Sequence, residues 1–254
     1  MGTSKGYQPP STPQWGKMKS DVTRQSGKGA VTPGIAKGLI RTYVRTSLGY
    51  GDGNGSGRSG GGARGGSGDG GRGSKSAIST GRRLAGFATI VAKNGVDQAL
   101  RDSGLGGLIG RPAQEVISTI VDYLTDAGAT LDQVDVRGAL DDLWENFLGT
   151  VATYEEIKTI LEENLKVGKI SSLLTTFFSN YLYRHFCRSF YERIRTKHGE
   201  GKTEGFLTSI KEFISSALEN FTFGKNLTRI NWAGEEGRRI TEEIFASTLQ
   251  VYGE

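Results

Sequence analysis

The sequence predicts an all-α protein: a bundle of about seven helices behind a basic N-terminal arm that does not fold by itself. Three observations carry this. From residue 76 onward the apolar residues recur three and four positions apart, the spacing of one helix face. Strand-type alternation is nearly absent. The chain also splits by composition, with 14 Lys/Arg against 3 Asp/Glu over residues 1–83 and 18 against 24 over residues 84–254. A basic arm joined to a mildly acidic body points to a polyanion partner for the arm, or to contact between the two.

Four segments follow from this reading. Residues 1–30, opening MGTSKGYQPPSTPQW, are polar, proline-bearing and aperiodic, and read as an extended tail with Trp15 exposed as an anchor. Residues 31–48 place Ile35, Leu39, Ile40, Tyr43, Val44 and Leu48 at helical spacing, with Lys37, Arg41 and Arg45 on the other side. Thr32 can cap that short amphipathic helix and Pro33 fits its first turn. Residues 49–75 read as a flexible linker, because 14 of the 25 residues from 49 to 73 are glycine and nothing there repays the entropy of ordering them. Residues 76–254 form the helical domain.

Within that domain Ser79 and Thr80 precede the stripe Leu84, Phe87, Ile90 and Val91, which stops at Asn94-Gly95. A short turn over 96–101 leads to a glycine-rich loop at 104–110. Pro112 then opens a helix over 113–127, and a further helix covers 132–147. Thr153 and Glu156 have capping-box spacing ahead of Ile157, Ile160, Leu161 and Leu165. The longest helix spans 170–197, its last turns rich in Arg and Lys as the helix dipole favours, and Gly199 ends it. Helices from Thr203 and over 235–251 complete the bundle.

Chemistry of its own is scarce in this chain. Gly55-Ser56-Gly57-Arg58-Ser59-Gly60 matches a dinucleotide fingerprint by letter, but no strand precedes it and no helix follows. The stretch GRGSKS at 71–76 lacks the glycine–lysine pair of a phosphate loop. His185, Cys187 and His198 are too few, and His185 and Cys187 too badly spaced, for a zinc site or a Cys–His nucleophile. The reading is a non-enzyme with no cofactor and no metal. The single Cys187 fits a reducing compartment, most simply the cytoplasm, and no apolar run is long enough to span a membrane. Arg58, Arg64 and Arg72 in the glycine tract are too sparse for a dense RNA-binding segment.

Gly2 stands apart. Loss of Met1 is expected to expose its α-amine, whose ordinary pKa of about 7.7–8.0 leaves a nucleophilic fraction near neutral pH. Gly6 occupies the position where myristoylation needs Ser or Thr, so that lipid is not its expected substituent.

The opening MGTS, the segment QPPSTPQW, the glycine-rich insert and the block GKNLTRINWAGEEGRRITEEIF at 224–245 together resemble the QatB family, part of the bacterial four-protein Qat anti-phage defence system. The resemblance implies a P-loop ATPase (QatA), a QueC-like protein (QatC) and a TatD-like nuclease (QatD) as companions. QueC-like enzymes use ATP to activate a carboxylated deazaguanine. The resemblance therefore implies that QatC binds this chain and conjugates a deazaguanine-type base to Gly2, with Thr3, Ser4 and Trp15 as recognition residues. Two other readings stand beside it: a nucleic-acid-binding scaffold using the basic arm, and a structural adaptor of the defence complex.

Overall fold

The computed structural model describes residues 13–48, 73–126, 130–148, 151–218, 227 and 229–253. The expectations for Gly2, Thr3, Ser4 and residues 49–72 lie outside them. Among the described residues the chain is all-α: α1 (Pro13–Ser26), α2 (Pro33–Ser47), α3 (Gly73–Asn94), α4 (Val96–Asp102), α5 (Ala113–Leu124), α6 (Leu131–Leu148), α7 (Tyr154–Asn164), α8 (Ile170–His198), α9 (Glu200–Ser216) and α10 (Glu235–Gly253). Single 3₁₀ turns at Gly106–Leu108 and Val167–Lys169 lead into α5 and α8.

The organising element is α8, 29 residues long. Its buried residues Leu173, Leu174, Phe177, Phe178, Tyr181, Leu182, Phe186 and Phe190 run along most of its length. Helices α1, α3, α6, α9 and α10 all pack on it. A helix apolar on most sides is stable only when surrounded, and the amphipathic helices supply that cover. Gly81 of α3 sits directly against α8. A Cβ there would lie 2.8 Å from Phe178 Cζ, so a side chain at position 81 would force the buried Phe178 ring to shift.

Helix ends follow local chemistry. The α7 box forms as its spacing predicts: Thr153 Oγ1 accepts from the Glu156 amide, and the Glu156 carboxylate accepts from the amides of Thr153 (3.0 Å) and Ala152 (3.1 Å). Those donors hold the Glu156 carboxyl below its usual range. Thr130 and Gln133 make the same reciprocal arrangement ahead of α6. At α2, Thr32 stands at the N-cap position but its side chain makes no capping hydrogen bond, and Pro33 sits in the first turn. Gly95 and Gly199, with φ of 82° and 79°, turn the chain sharply after α3 and α8. The α10 entry is built by Asn231-Trp232-Ala233-Gly234: Trp232 is buried, and the Asn231 carbonyl accepts from the amides of Gly234 and Gly237, each at 3.2 Å. A Cβ on Gly237 would lie 2.5 Å from Trp232 Cα, so this turn needs glycine there.

Among the described residues there are ten α-helices where the sequence predicts about seven, α5 stops at Leu124 rather than 127, α9 begins at Glu200 rather than Thr203, and two segment boundaries also differ from the sequence reading. The segment read as an extended tail over 1–30 contains α1, with Trp15, Met18 and Val22 buried. Its apolar residues sit at i, i+3 and i+7, and the face they make is short but complete once it meets α8. Likewise α3 begins at Gly73, inside the stretch assigned to the linker, because Ala77 and Thr80 are already buried in the bundle.

Candidate functional site

The N-terminal helices form a hairpin docked on the second half of α8 and on α9 and α10. Trp15, only 1% exposed, stacks on Phe190 with ring centroids 5.4 Å apart and lies 6.1 Å from Tyr43. Phe186 meets the Tyr43 ring edge-on at 5.1 Å. Trp15 is thus an anchor, but one turned into the core, and the exposed, partner-facing position expected of it is corrected. Aromatic burial of this size outweighs the loss of freedom of a short helix, which by itself is marginal in water.

Polar contacts set the register of the hairpin. Arg193 Nε donates to Thr23 Oγ1 (2.8 Å), His198 Nε2 lies 2.7 Å from the Thr23 carbonyl oxygen, and the Val31 amide donates to Ser209 Oγ (3.1 Å). Close backbone approach fixes the turn between α1 and α2: a Cβ on Gly205 would lie 3.3 Å from the Ala30 nitrogen. Pro13 is therefore held in place by the helix it begins. Gly2 stands eleven residues before it, within a contour of at most about 40 Å.

Beneath the hairpin lies a buried polar cluster. Tyr43 Oη is 2.5 Å from His185 Nδ1, 2.8 Å from the His185 carbonyl oxygen and 2.9 Å from Ser189 Oγ. Burial, with Arg188 nearby, pushes the imidazole pKa down to about 3, so His185 is neutral at physiological pH. One turn earlier on α8, Tyr181 donates to Asp132 Oδ1 at 2.7 Å. Arg188 Nε faces Asp135 Oδ2 at 3.1 Å. Burial outweighs that attraction and raises the Asp135 pKa to about 7. Farther along the α6–α8 seam, Arg184 donates through Nε and Nη2 to both oxygens of Asp142 (2.6 and 2.7 Å). Gly138 makes room for that guanidinium, which a Cβ would strike.

This cluster joins α2, α6 and α8, and its chemistry is that of fixing positions. His185 and Cys187 lie in different surroundings, as their spacing predicts: the first on Tyr43, the second half-buried beside Tyr183, its thiol pushed up to about 11 by burial. Among the described residues no group of three His, Cys, Asp or Glu is placed to hold a metal ion, and no helix is long and apolar enough to cross a membrane. Sequence reasoning missed Tyr43, Asp132, Asp135 and Arg188 as one group. Tyr43 and His185 are 142 residues apart, and no local spacing connects them.

Comparison with known proteins supplies the identity. No curated protein and no solved structure matches the chain. One family model does, described as the Qat anti-phage system associated protein QatB, over residues 65–252. The match runs from before α3 to the end of α10, while α1 and α2 precede it. It covers about three-quarters of the sequence and includes the block that forms the α10 entry. The chain therefore belongs to the QatB family of the Qat anti-phage system.

Proposed function

We propose that this chain is a non-catalytic component of the Qat system that binds the QueC-like partner QatC and offers the α-amine of Gly2 as acceptor for a deazaguanine-type base. Family membership supplies the setting. The observation that supports the finer reading is the anchorage of α1, where Trp15 on Phe190 fixes the start of the helix that follows the N-terminal residues. A glycine eleven residues beyond a fixed helix is tethered yet has no side chain to obstruct entry into a partner's active site. In the step itself the neutral amine attacks the carbonyl carbon of the ATP-activated base. The amide C–N bond forms, the C–O bond to the nucleotide phosphate breaks, AMP leaves, and the amine loses a proton.

The companions QatA and QatD, and a cytoplasmic setting, belong to the same proposal. It is tested by phage plating with Gly2→Pro and Gly2→Val chains that fold and co-purify with QatC. Loss of protection with the complex intact is the expected result. Full protection with either variant assigns the chain to a purely structural adaptor and overturns the acceptor reading.

A further inference from the structure

The charge of the N-terminal segment is organised by the fold. Residues 13–48 carry seven Lys/Arg and one Asp. Since α1 turns Trp15, Met18 and Val22 inward, Lys17 and Arg24 fall together on its solvent side, and Lys28 follows in the turn. The end of α8 continues this surface. Lys197 adjoins His198, whose ring contacts the Thr23 carbonyl, and the Lys202 side chain lies beside Gly29. Lys17, Lys28, Lys197 and Lys202 are all exposed, and none has an ion-pair partner among the described residues. Of the acids nearby, Asp21 is engaged by Arg24 and Glu192 by Arg195, leaving Glu200 and Glu204 on the outer side of α9.

The opposite side of the molecule has the opposite sign. Residues 113–164, covering α5 to α7, hold twelve Asp/Glu and two Lys/Arg. These helices pack on α3, α4 and α8, whereas α1 and α2 pack on α8, α9 and α10. The chain is thus electrically polarised, an arrangement that orients a molecule toward a polyanion and speeds encounter. Among the described residues, no large apolar side chain is exposed on the basic side. The large apolar side chains exposed among the described residues are Tyr123, Leu131 and Val134, all at the α5–α6 end. Protein interfaces centre on buried apolar anchors, while binding to a nucleic-acid backbone needs only cations placed against phosphates.

We infer that the outer surface of α1 with the C-terminal end of α8 binds the sugar–phosphate backbone of nucleic acid without sequence preference. The inference does not depend on Gly2 or on QatC. Fluorescence anisotropy of the full chain with a short labelled duplex DNA, and with RNA of the same sequence, tests it. Four phosphate contacts would weaken binding to duplex DNA roughly 100-fold between about 50 and 200 mM salt. The variant Lys17→Glu/Lys28→Glu/Lys197→Glu/Lys202→Glu should lose at least about tenfold in affinity and most of the salt slope. The control Lys93→Glu/Lys166→Glu, at exposed positions outside this surface, should retain both. Stronger binding of DNA or of RNA identifies the source of the phosphates. Failure to bind either, or equal loss in the control, overturns the inference. So does salt-sensitive self-association, basic side to acidic side, that nucleic acid does not compete away.

Discussion

The basic α1–α2 hairpin and the acidic α5–α7 layer attach to the bundle by different physics. The hairpin is held by an apolar and aromatic face, Trp15 on Phe190 and Tyr43 on Phe186, while Lys17, Lys28 and Lys37 stand exposed on its outer side. The acidic layer commits four of its twelve carboxylates to arginines of the bundle: Asp142 on Arg184 and Asp135 on Arg188 in its interior, and Asp126 on Arg83 and Asp122 on Arg137 nearer the surface. A charged group committed to an internal partner stabilises geometry. One left in solvent contributes little to folding and is open to an outside partner. The two regions thus divide the work, with α5–α7 spending its charge on the architecture and the hairpin keeping its own for the exterior.

The largest expected effect comes from breaking the anchor. Trp15→Ala should cost about 3–5 kcal/mol of hairpin docking. Amide hydrogen exchange over 13–48 would lose protection while α3 to α10 keep theirs; uniform loss would show that the hairpin is part of one cooperative core. Next is Gly237→Ala, where the new Cβ meets the Trp232 backbone at 2.5 Å. A cost of about 1–3 kcal/mol is expected in urea unfolding, with α10 the first element to exchange.

The ion-pair side gives a smaller effect. Arg184→Ala removes a two-pronged contact with Asp142 that is partly open to solvent, and should cost about 1 kcal/mol. Raising salt should diminish that cost, whereas the Trp15→Ala cost should not change with salt.

The buried cluster between the two regions predicts the pH response. His185 has its pKa depressed to about 3, so the folded chain stays neutral there while the unfolded chain takes up a proton below about 6.5. Its stability contribution is complete above that value and is lost as pH falls toward 3. Asp135, raised to about 7, acts oppositely: its contribution is complete below about 3.8 and is lost as pH rises toward 7. The two offset one another between roughly pH 4 and 6.5. His185→Gln should therefore make stability fall as pH rises across that window, and Asp135→Asn should make it rise, each read from urea midpoints. Parallel slopes in both variants would contradict the assignment.

Legibility followed the range of the interactions. The α7 capping box, the Gly95 and Gly199 stops and the apolar face of α8 are local patterns and stood in the sequence. The Thr130–Gln133 box carried the same signal and was overlooked. Helix α1 was hidden because prolines precede it, Gly16 interrupts it, and only three large apolar residues mark its face; its stability comes from rings of Tyr43 and Phe190 far along the chain. The buried Tyr43–His185 and Asp135–Arg188 pairs were invisible for the same reason, since both depend on which helices meet.

The proposal stands or falls on whether the Gly2 amine receives the base. Mass spectrometry of the N-terminal peptide from the chain expressed with its neighbouring Qat genes, and without the QueC-like one, tests it most directly. The expected result is Met1 removed and a deazaguanine-type base on the Gly2 nitrogen only when that gene is present. An unmodified Gly2 in cells that resist phage would contradict it.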